Sequence, residues 1–220
     1  MHMQFDIITL FPEMCRSLIS DSILKRAVTD DKITVRFWNP RDYAVDKHHT
    51  VDDTPYGGGP GMVMKIEPLV ATLRAIDRRE RSRALLLSPR GPCFIQSHAQ
   101  QFSQELDQLI LVCGRYEGVD ARLLEYLDGE LSIGDFVITG GELAALVVVD
   151  AVARLLPGVL GDDTSSQDES HSRPGYVEYP QYTRPEVFED KKVPDVLLSG
   201  NHRLIEEWRR QAASWQPAGR

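Results

Sequence analysis

The chain has 220 residues, 42% of them hydrophobic and 26% charged, with a formal net charge of −8. This composition is ordinary for a globular protein and allows one large domain, or a medium domain with a small appendage. The net negative charge argues against nucleic-acid binding that is independent of base sequence and uses the whole surface. A local basic face is still compatible with this net charge. Three cysteines without a C-x-x-C spacing indicate neither a disulfide framework nor a zinc site.

Nothing in the sequence predicts export or membrane insertion. The first apolar run, Phe5–Leu10, begins near the N-terminus without the basic lead of a secretory signal. The most apolar stretch, Leu143–Leu156, is too short to cross a bilayer and carries Asp150 and Arg154. We therefore expect a cytoplasmic protein without a membrane partner.

Short apolar runs alternate with helical patterns along the first two thirds of the chain. The predicted strands are Phe5–Leu10, Ile33–Asn39, Ala84–Leu87, Leu109–Cys113 and Phe136–Thr139. The predicted helices are Pro12–Ser20, Ser22–Val28, Glu67–Asp77, Ile95–Glu105 and Asp120–Leu127. Continuous apolar strands alternating with helices are typical of an α/β fold with a parallel sheet covered on both faces. Leu143–Leu156 predicts a further helix, apolar all round and buried in the core or against a second subunit.

The character of the sequence changes after Pro157. Residues 159–182 are rich in glycine, proline, serine and acids without periodicity, which predicts a flexible linker. The linker would join a main domain, residues 1–158, to a small helical C-terminal domain, residues 183–220. In that domain Asn201 can cap a helix from His202 to about Trp215.

Three predicted strands end in, or are bracketed by, turns of small residues, at Ser88–Gly91, Gly114–Gly118 and Gly140–Gly141. Glycines at such junctions let the backbone approach a ligand, so we expect the three turns to form one pocket. A further glycine-dense loop, Tyr56–Met62, lacks both the phosphate-loop ending and the dinucleotide-site spacing. It is either a tight surface turn or, as we favour, a ligand loop.

Several charged residues have both a structural and a functional interpretation. Asp150 and Arg154 are four positions apart and could pair on one helix face, yet burying a cation in an apolar helix is costly unless it is used. The adjacent histidines His48 and His49 lack a ligand spacing, so no metal site is predicted. The arginines of residues 74–83 are interpreted as a solvated helix face.

Taken together, the motifs closely resemble those of the bacterial tRNA (guanine-N1)-methyltransferases, the TrmD family. The resemblance runs from Phe5 to about Arg210 and rests on Val51–Asp53, Tyr56–Met62, Cys113–Gly118, Ser132–Asp135, Gly140–Glu142, Tyr182–Val187 and Leu197–His202. It implies a SPOUT-class parallel sheet with a C-terminal trefoil knot, a homodimer with shared active sites, and S-adenosylmethionine as methyl donor. The implied substrate is tRNA, methylated on N1 of the guanosine immediately 3′ of the anticodon where another guanosine precedes it.

The resemblance also assigns roles to individual residues. It implies a donor pocket formed by Leu87, Ser88, Pro89, Gly114, Tyr116, Glu117, Ile133, Gly134, Asp135, Phe136, Val137, Ile138, Gly140 and Gly141. It implies tRNA contacts from Asp53, Tyr56, Gly58, Gly59, Pro60, Ser165 and Arg184. The catalytic arginine corresponds to Arg154. The general base, usually an aspartate in the family, corresponds to Glu169, with Asp168 beside it as the alternative.

The chain departs from the family pattern at its C-terminus. The family continues past the helix of Trp208 with an arginine-rich stretch, whereas this sequence stops at Arg220. We therefore expect a shortened tRNA-contacting domain, or RNA contacts from elsewhere such as residues 74–83. The resemblance further implies a Mg²⁺ requirement but indicates no ligands. The rival interpretations are a nucleotide-dependent oxidoreductase or hydrolase and a non-catalytic dimeric RNA-binding protein.

Overall fold

The computed structural model describes residues 2–161 and 168–215. The chain divides into two compact units, Met1–Asp163 and Thr164–Arg220. The elements of the first unit are, in chain order, β1 (Met3–Ile8), α1 (Pro12–Ile19), α2 (Ser22–Thr29), β2 (Ile33–Trp38), a 3₁₀ turn (Pro40–Tyr43), β3 (Asp52–Asp53), β4 (Val63–Met64), α3 (Ile66–Ala75), β5 (Ser82–Leu87), α4 (Gln96–Glu105), β6 (Gln108–Cys113), a 3₁₀ helix (Ala121–Tyr126), β7 (Gly129–Leu131) and α5 (Glu142–Ala153).

A five-stranded parallel sheet organises the first unit, with the strand order β2-β1-β6-β5-β7. The central strands β1 and β6 are buried along their whole length. Their register pairs Phe5 with Leu109 and Ile7 with Leu111, so apolar side chains of neighbouring strands face the same layer. The predicted α/β fold with a covered parallel sheet is therefore confirmed.

Alternate residues of the sheet pack into two separate apolar clusters. On one face Phe5 and Ile7 pack in the cluster that includes Val149 of α5. On the other face Ile8 lies in the cluster that includes Leu69 of α3. The period of two along β1 thus supplies both layers of the core.

One predicted strand is wrong. Phe136–Thr139 forms no strand, and Phe136 and Val137 are 54% and 86% exposed. The edge of the sheet is β7, a three-residue strand that pairs with β5 from Leu85↔Gly129 to Leu87↔Leu131. An apolar run favours a strand only where a sheet can cover it, and this run lies in a loop beyond the sheet.

The helix predictions differ from the structure at three places. α5 ends at Ala153, three residues before the predicted end at Leu156. Asp120–Leu127 forms a 3₁₀ helix rather than an α-helix, with Leu123 N donating to Asp120 O and Leu127 N to Leu124 O. The C-terminal helix ends at Ala212, since Ser214–Trp215 pairs as a strand instead. No helix within the described ranges is both long and apolar enough to cross a membrane.

The second unit is built from short elements. In chain order they are β8 (Tyr176–Val177), β9 (Val187–Phe188), β10 (Lys191–Lys192), α6 (Asp195–Leu198), α7 (His202–Ala212) and β11 (Ser214–Trp215). β9 and β10 form an antiparallel hairpin, and β11 pairs antiparallel with β8. Asn201 caps α7 by accepting a hydrogen bond from Leu204 N, at 3.3 Å. The extents of the predicted linker and C-terminal domain stay predictions.

The loop after β5 passes so close to β7 that it tolerates only glycine at position 91. A Cβ atom on Gly91 would lie 2.6 Å from Glu130 C and 2.7 Å from Leu131 Cα, both backbone atoms. We expect Gly91→Ala to destabilise the protein by about 1–3 kcal/mol, the usual cost of overpacking, as measured by urea unfolding. Gly161→Ala is the matched control, because nothing lies within 4 Å of its Cβ position. Equal stability of the two variants would contradict this prediction.

Candidate active site

A cavity of about 290 Å³ opens at the carboxyl ends of β5, β6 and β7. Every residue of the predicted donor pocket except Asp135 lines it. The lining also includes Arg90, Arg115 and Gly118, which belong to the predicted turns Ser88–Gly91 and Gly114–Gly118. Sequence reasoning missed the other lining residues, which are Leu86, Val119, Ala121, Leu124, Glu130, Leu131, Ser132, Thr139 and Ala144. The structure thus brings the three small-residue turns together at one site, while the function of each lining residue stays a prediction.

Backbone hydrogen bonds join the turn after β5 to the end of β7. Ser88 N donates to Leu131 O at 3.0 Å, and Ser132 N donates to Pro92 O at 3.0 Å. Phe94 N in turn donates to Ser132 O at 2.7 Å. These bonds fix two of the cavity walls to each other.

The turn after β6 forms the third wall. Tyr116 adopts a left-handed conformation with φ +60°, which is uncommon for a residue other than glycine. Gly141 N donates to Gly114 O at 3.0 Å, so the segment that leads into α5 returns to the end of β6. Strained backbone of this kind is found where the surroundings require it, often at ligand sites.

The glycine loop between β3 and β4 approaches the same cavity. A Cβ atom on Gly61 would lie 2.6 Å from Cγ of Glu117, a cavity-lining residue. Glu117 N donates to Met62 O at 3.0 Å, and Met64 N donates to Gly118 O at 2.9 Å. Tyr56 at the loop tip is fully exposed. The loop predicted to contact tRNA is therefore tied directly to the wall predicted to contact the donor.

Arg154 lies away from the cavity of its own chain. It caps the C-terminal end of α5, and its backbone N donates to Asp150 O at 3.1 Å. Ala144, near the start of α5, lines the cavity. Ten helical positions separate Ala144 from Arg154, or about 15 Å at 1.5 Å per residue, which exceeds the length of an arginine side chain. Arg154 is also not among the residues that line the cavity of its own chain.

The two candidate bases lie in the second unit. Asp168 is exposed, and its carboxylate forms an ion pair with Arg173 at 3.0 Å. The Arg173 guanidinium in turn stacks on the rings of Tyr176 and Trp215, 4.4 and 5.7 Å from their centroids. Glu169 is half-buried, and its carbonyl accepts a hydrogen bond from Ser172 N at 3.0 Å. Asp168 is therefore already engaged by a cation.

Comparison with known proteins identifies the family. The model of the tRNA (Guanine-1)-methyltransferase TrmD family matches residues 3–218. The chain belongs to this family. It is 57% identical over 210 residues to the tRNA (guanine-N(1)-)-methyltransferase of Desulfitobacterium hafniense strain Y51, covering 95% of this chain and 79% of that protein. It is 53% identical over 212 residues to the protein of the same name from Dehalococcoides mccartyi strain CBDB1, covering 95% of this chain and 85% of that one.

The remaining tRNA contacts predicted from the TrmD family resemblance are dispersed. Asp53 ends β3, where its carboxylate accepts a hydrogen bond from Thr54 N at 2.7 Å. Gly58, Gly59 and Pro60 belong to the exposed glycine loop. Arg184 is an exposed residue of the second unit, and Ser165 lies outside the described residues.

The arginines of residues 74–83, considered above as a further RNA surface, have partners within the protein. Arg78 pairs with Asp128 at 2.7 Å. Arg79 donates to Gln4 Oε1, and Arg81 donates to two carbonyls at the end of α4. These arginines contact residues at the amino-terminal edge of the sheet. Because they have partners there, an RNA-binding role for them is less well supported.

The described residues contain no group of three or more histidine, cysteine or acidic side chains that could hold a metal. Near the adjacent histidines, the Asp46 carboxylate accepts hydrogen bonds from Thr50 and from His48 N. The hydrogen bond from the Thr50 side chain is the main cause that lowers the pKa of Asp46. The Asp46 carboxylate therefore stabilises the conformation of the loop that contains His48 and Thr50.

The three thiols of this family member should differ sharply in reactivity. Burial raises the pKa of Cys15 to about 11 and also raises that of Cys113, whereas Cys93 is exposed. Because the thiolate is the reactive form, only Cys93 should react with Ellman's reagent at pH 8. We expect one thiol per folded chain and three after denaturation in guanidinium chloride. Rapid reaction of more than one thiol in the folded protein would contradict the burial of Cys15 and Cys113.

Proposed function

We propose that this chain is a tRNA (guanine-N1)-methyltransferase that uses S-adenosylmethionine. Its substrate is tRNA with a guanosine immediately 3′ of the anticodon, preceded by another guanosine, and it acts in the cytoplasm. The observation that carries the proposal is the cavity formed by three small-residue turns, in a chain that belongs to this family.

The cavity has the chemistry that the donor requires. Its glycine-rich walls expose main-chain groups that can recognise an adenine edge, while Ile133 and Leu86 supply apolar surface for the ring. The carboxylate of Glu117 offers a counter-charge for a cationic ligand. When bound, S-adenosylmethionine supplies a methyl group on a positively charged sulfur.

The proposed chemistry at the acceptor is proton removal by a carboxylate. Guanine N1 carries a proton at neutral pH, so it becomes nucleophilic only when that proton leaves. Glu169 would accept the proton from N1, and the electron pair released would form the bond to the methyl carbon while the bond from that carbon to the donor sulfur breaks. The pair of the broken bond would stay on sulfur, and S-adenosylhomocysteine would leave. General-base assistance of this kind is worth about 10²–10⁴ in rate. Arg154 stabilises the negative charge that develops on the guanine oxygen.

The active site we propose combines two copies of the chain. Arg154 lies about 15 Å along α5 from the cavity of its own chain, so a second copy must bring it to a cavity. A surface suited to a partner runs along the same helix, where Leu143 and Val147 are 56% and 49% exposed. An exposed apolar stripe on an otherwise buried helix is typical of a subunit interface.

The proposal includes the trefoil knot of the SPOUT class. After β7, at one edge of the sheet, the chain returns to the end of β6, where Gly140 forms a backbone bridge with Arg115. The loop after β5 meanwhile bonds to the end of β7, where Cys93 bridges Ser132. These two contacts between connections at the carboxyl edge of the sheet support the proposal of a knotted path.

The test is methyl transfer from radiolabelled S-adenosylmethionine to a tRNA transcript. We expect one methyl group per tRNA, lost when the guanosine 3′ of the anticodon is replaced by adenosine and reduced when Mg²⁺ is chelated. Folded protein that binds this tRNA without transferring a methyl group would support the non-catalytic RNA-binding alternative. Calorimetric binding of NAD or ATP instead of S-adenosylhomocysteine would support the nucleotide-dependent alternative.

A further inference from the structure

An ion pair lies at one wall of the cavity, where Arg115 lines the cavity and its partner Glu142 is buried behind it. Glu142, the first residue of α5, is 1% exposed, and its Oε2 lies 2.9 Å from Nε of Arg115. Its other oxygen, Oε1, accepts a hydrogen bond from the buried hydroxyl of Thr9 at 2.7 Å. Thr9 follows β1, Arg115 follows β6 and Glu142 begins α5, so three parts of the chain meet at the Glu142 carboxylate.

The ion pair supports the segment Thr139–Gly141, which lines the cavity. Arg115 donates from Nη1 to Thr139 O at 3.3 Å. A Cβ atom on Gly140 would lie 2.5 Å from Cδ of Arg115 and 2.6 Å from Oε2 of Glu142. Gly140 therefore packs directly on the ion pair, which fixes how far this wall extends into the cavity.

The guanidinium of Arg115 is itself fixed from the other side. It lies over the ring of Phe11, 4.5 Å from the ring centroid, and its Nη2 lies 3.3 Å from Sδ of Met14. Phe11, just before α1, and Met14, within α1, thus contact the guanidinium on the side away from Glu142. On the other side, the charge on Glu142 determines whether the guanidinium stays against Gly140.

Stability alone does not account for this ion pair. Among the described residues, neither Nε of Arg115 nor Oε2 of Glu142 has a hydrogen bond of good geometry, so their 2.9 Å contact is electrostatic. Burying two charges costs desolvation that attraction only partly returns, and an apolar pair of similar size is often as stable. A charged pair at this position points to a requirement of the site.

We infer that Glu142 is a positioning residue for donor binding, because it holds Arg115 and thereby the Thr139–Gly141 wall in place. Glu142 itself does not line the cavity. The inference rests on the proposed function, since it takes the cavity as the site of S-adenosylmethionine. The wall's main chain would contact the donor only while the ion pair is intact.

The principal test is Glu142→Gln, which keeps the acceptor for Thr9 and removes the charge. We expect the affinity for S-adenosylhomocysteine, measured by calorimetry, to fall about 10- to 100-fold, as expected when a buried charge loses its partner. The donor KM should rise by a similar factor, with kcat little changed. Asp107→Asn is the matched control, because it removes a partly exposed ion pair with Arg81 at the amino end of β6, whereas the cavity lies at the carboxyl end. The donor affinity of this variant should equal that of wild type.

A milder pair of variants keeps the inference testable should Glu142→Gln unfold. Thr9→Val removes the hydroxyl that orients the carboxylate and should weaken donor affinity, whereas Thr9→Ser keeps the hydroxyl and should restore it. A purely structural role would lower kcat through loss of folded molecules and leave KM unchanged. That result, or wild-type affinity in both Glu142→Gln and Thr9→Val, would overturn the inference. Failure of the wild-type protein to bind S-adenosylhomocysteine would instead overturn the proposed function.

Discussion

Replacing Glu169 with glutamine should reduce methyl transfer about 10²- to 10⁴-fold, the contribution expected of a general base. Glutamine keeps the size and hydrogen-bonding reach of the side chain but cannot accept the proton from guanine N1. Affinity for S-adenosylhomocysteine should stay unchanged, because Glu169 is not among the residues that line the cavity and its proposed role is toward the acceptor. Single-turnover transfer to a tRNA transcript measures the first effect, and calorimetry measures the second.

The neighbouring acid provides the control for this prediction. Asp168→Asn makes the equivalent change one position earlier, in a carboxylate that is paired with Arg173 at 3.0 Å. The family resemblance assigns the base to Glu169, so we expect Asp168→Asn to retain most of the activity. A collapse in Asp168→Asn together with near-normal transfer in Glu169→Gln would reassign the base to Asp168.

The sequence predicts four of the five strands of the sheet well, because each of them is a recognisable apolar run. β1, β2, β5 and β6 lie within two residues of their predicted positions, since strands buried on both faces read as continuous apolar runs. β7 escapes prediction because it is three residues long and begins with Gly129. Phe136–Thr139 is wrongly predicted as a strand, because its apolar residues border a cavity rather than neighbouring strands.

The sequence predicts the turns that form the cavity walls but not the contacts that hold those walls in place. Glycines and small residues mark turns wherever they occur, so the three turns were identifiable as possible walls. The contact between Arg115 and Glu142 joins residues on different elements, and neither periodicity nor spacing indicates it. The separation of Arg154 from the cavity is likewise a property of the folded chain, because it depends on where α5 begins relative to the sheet.

Arg154→Ala should reduce methyl transfer about 10²- to 10³-fold, the usual cost of removing one group that stabilises a developing negative charge. Donor affinity should be retained, since the role we propose for Arg154 is to stabilise the charge on the guanine oxygen of the acceptor, not to bind the donor. Single-turnover transfer by the purified variant, with calorimetry on the same preparation, gives both quantities. Loss of S-adenosylhomocysteine binding in Arg154→Ala would contradict a role confined to the acceptor.

Complementation between two defective chains tests whether this arginine serves the partner's cavity. Gly141→Ala should impair the cavity, because its Cβ would lie 2.7 Å from Cα of Cys113, yet it leaves Arg154 intact. In a mixed dimer, the sound cavity of an Arg154→Ala chain can receive Arg154 from a Gly141→Ala chain. Random pairing then makes half of the dimers mixed, each with one complete site, so activity should recover to about a quarter of wild type. If the arginine instead served its own chain, every cavity in the mixture would lack one component and the mixed sample would stay inactive.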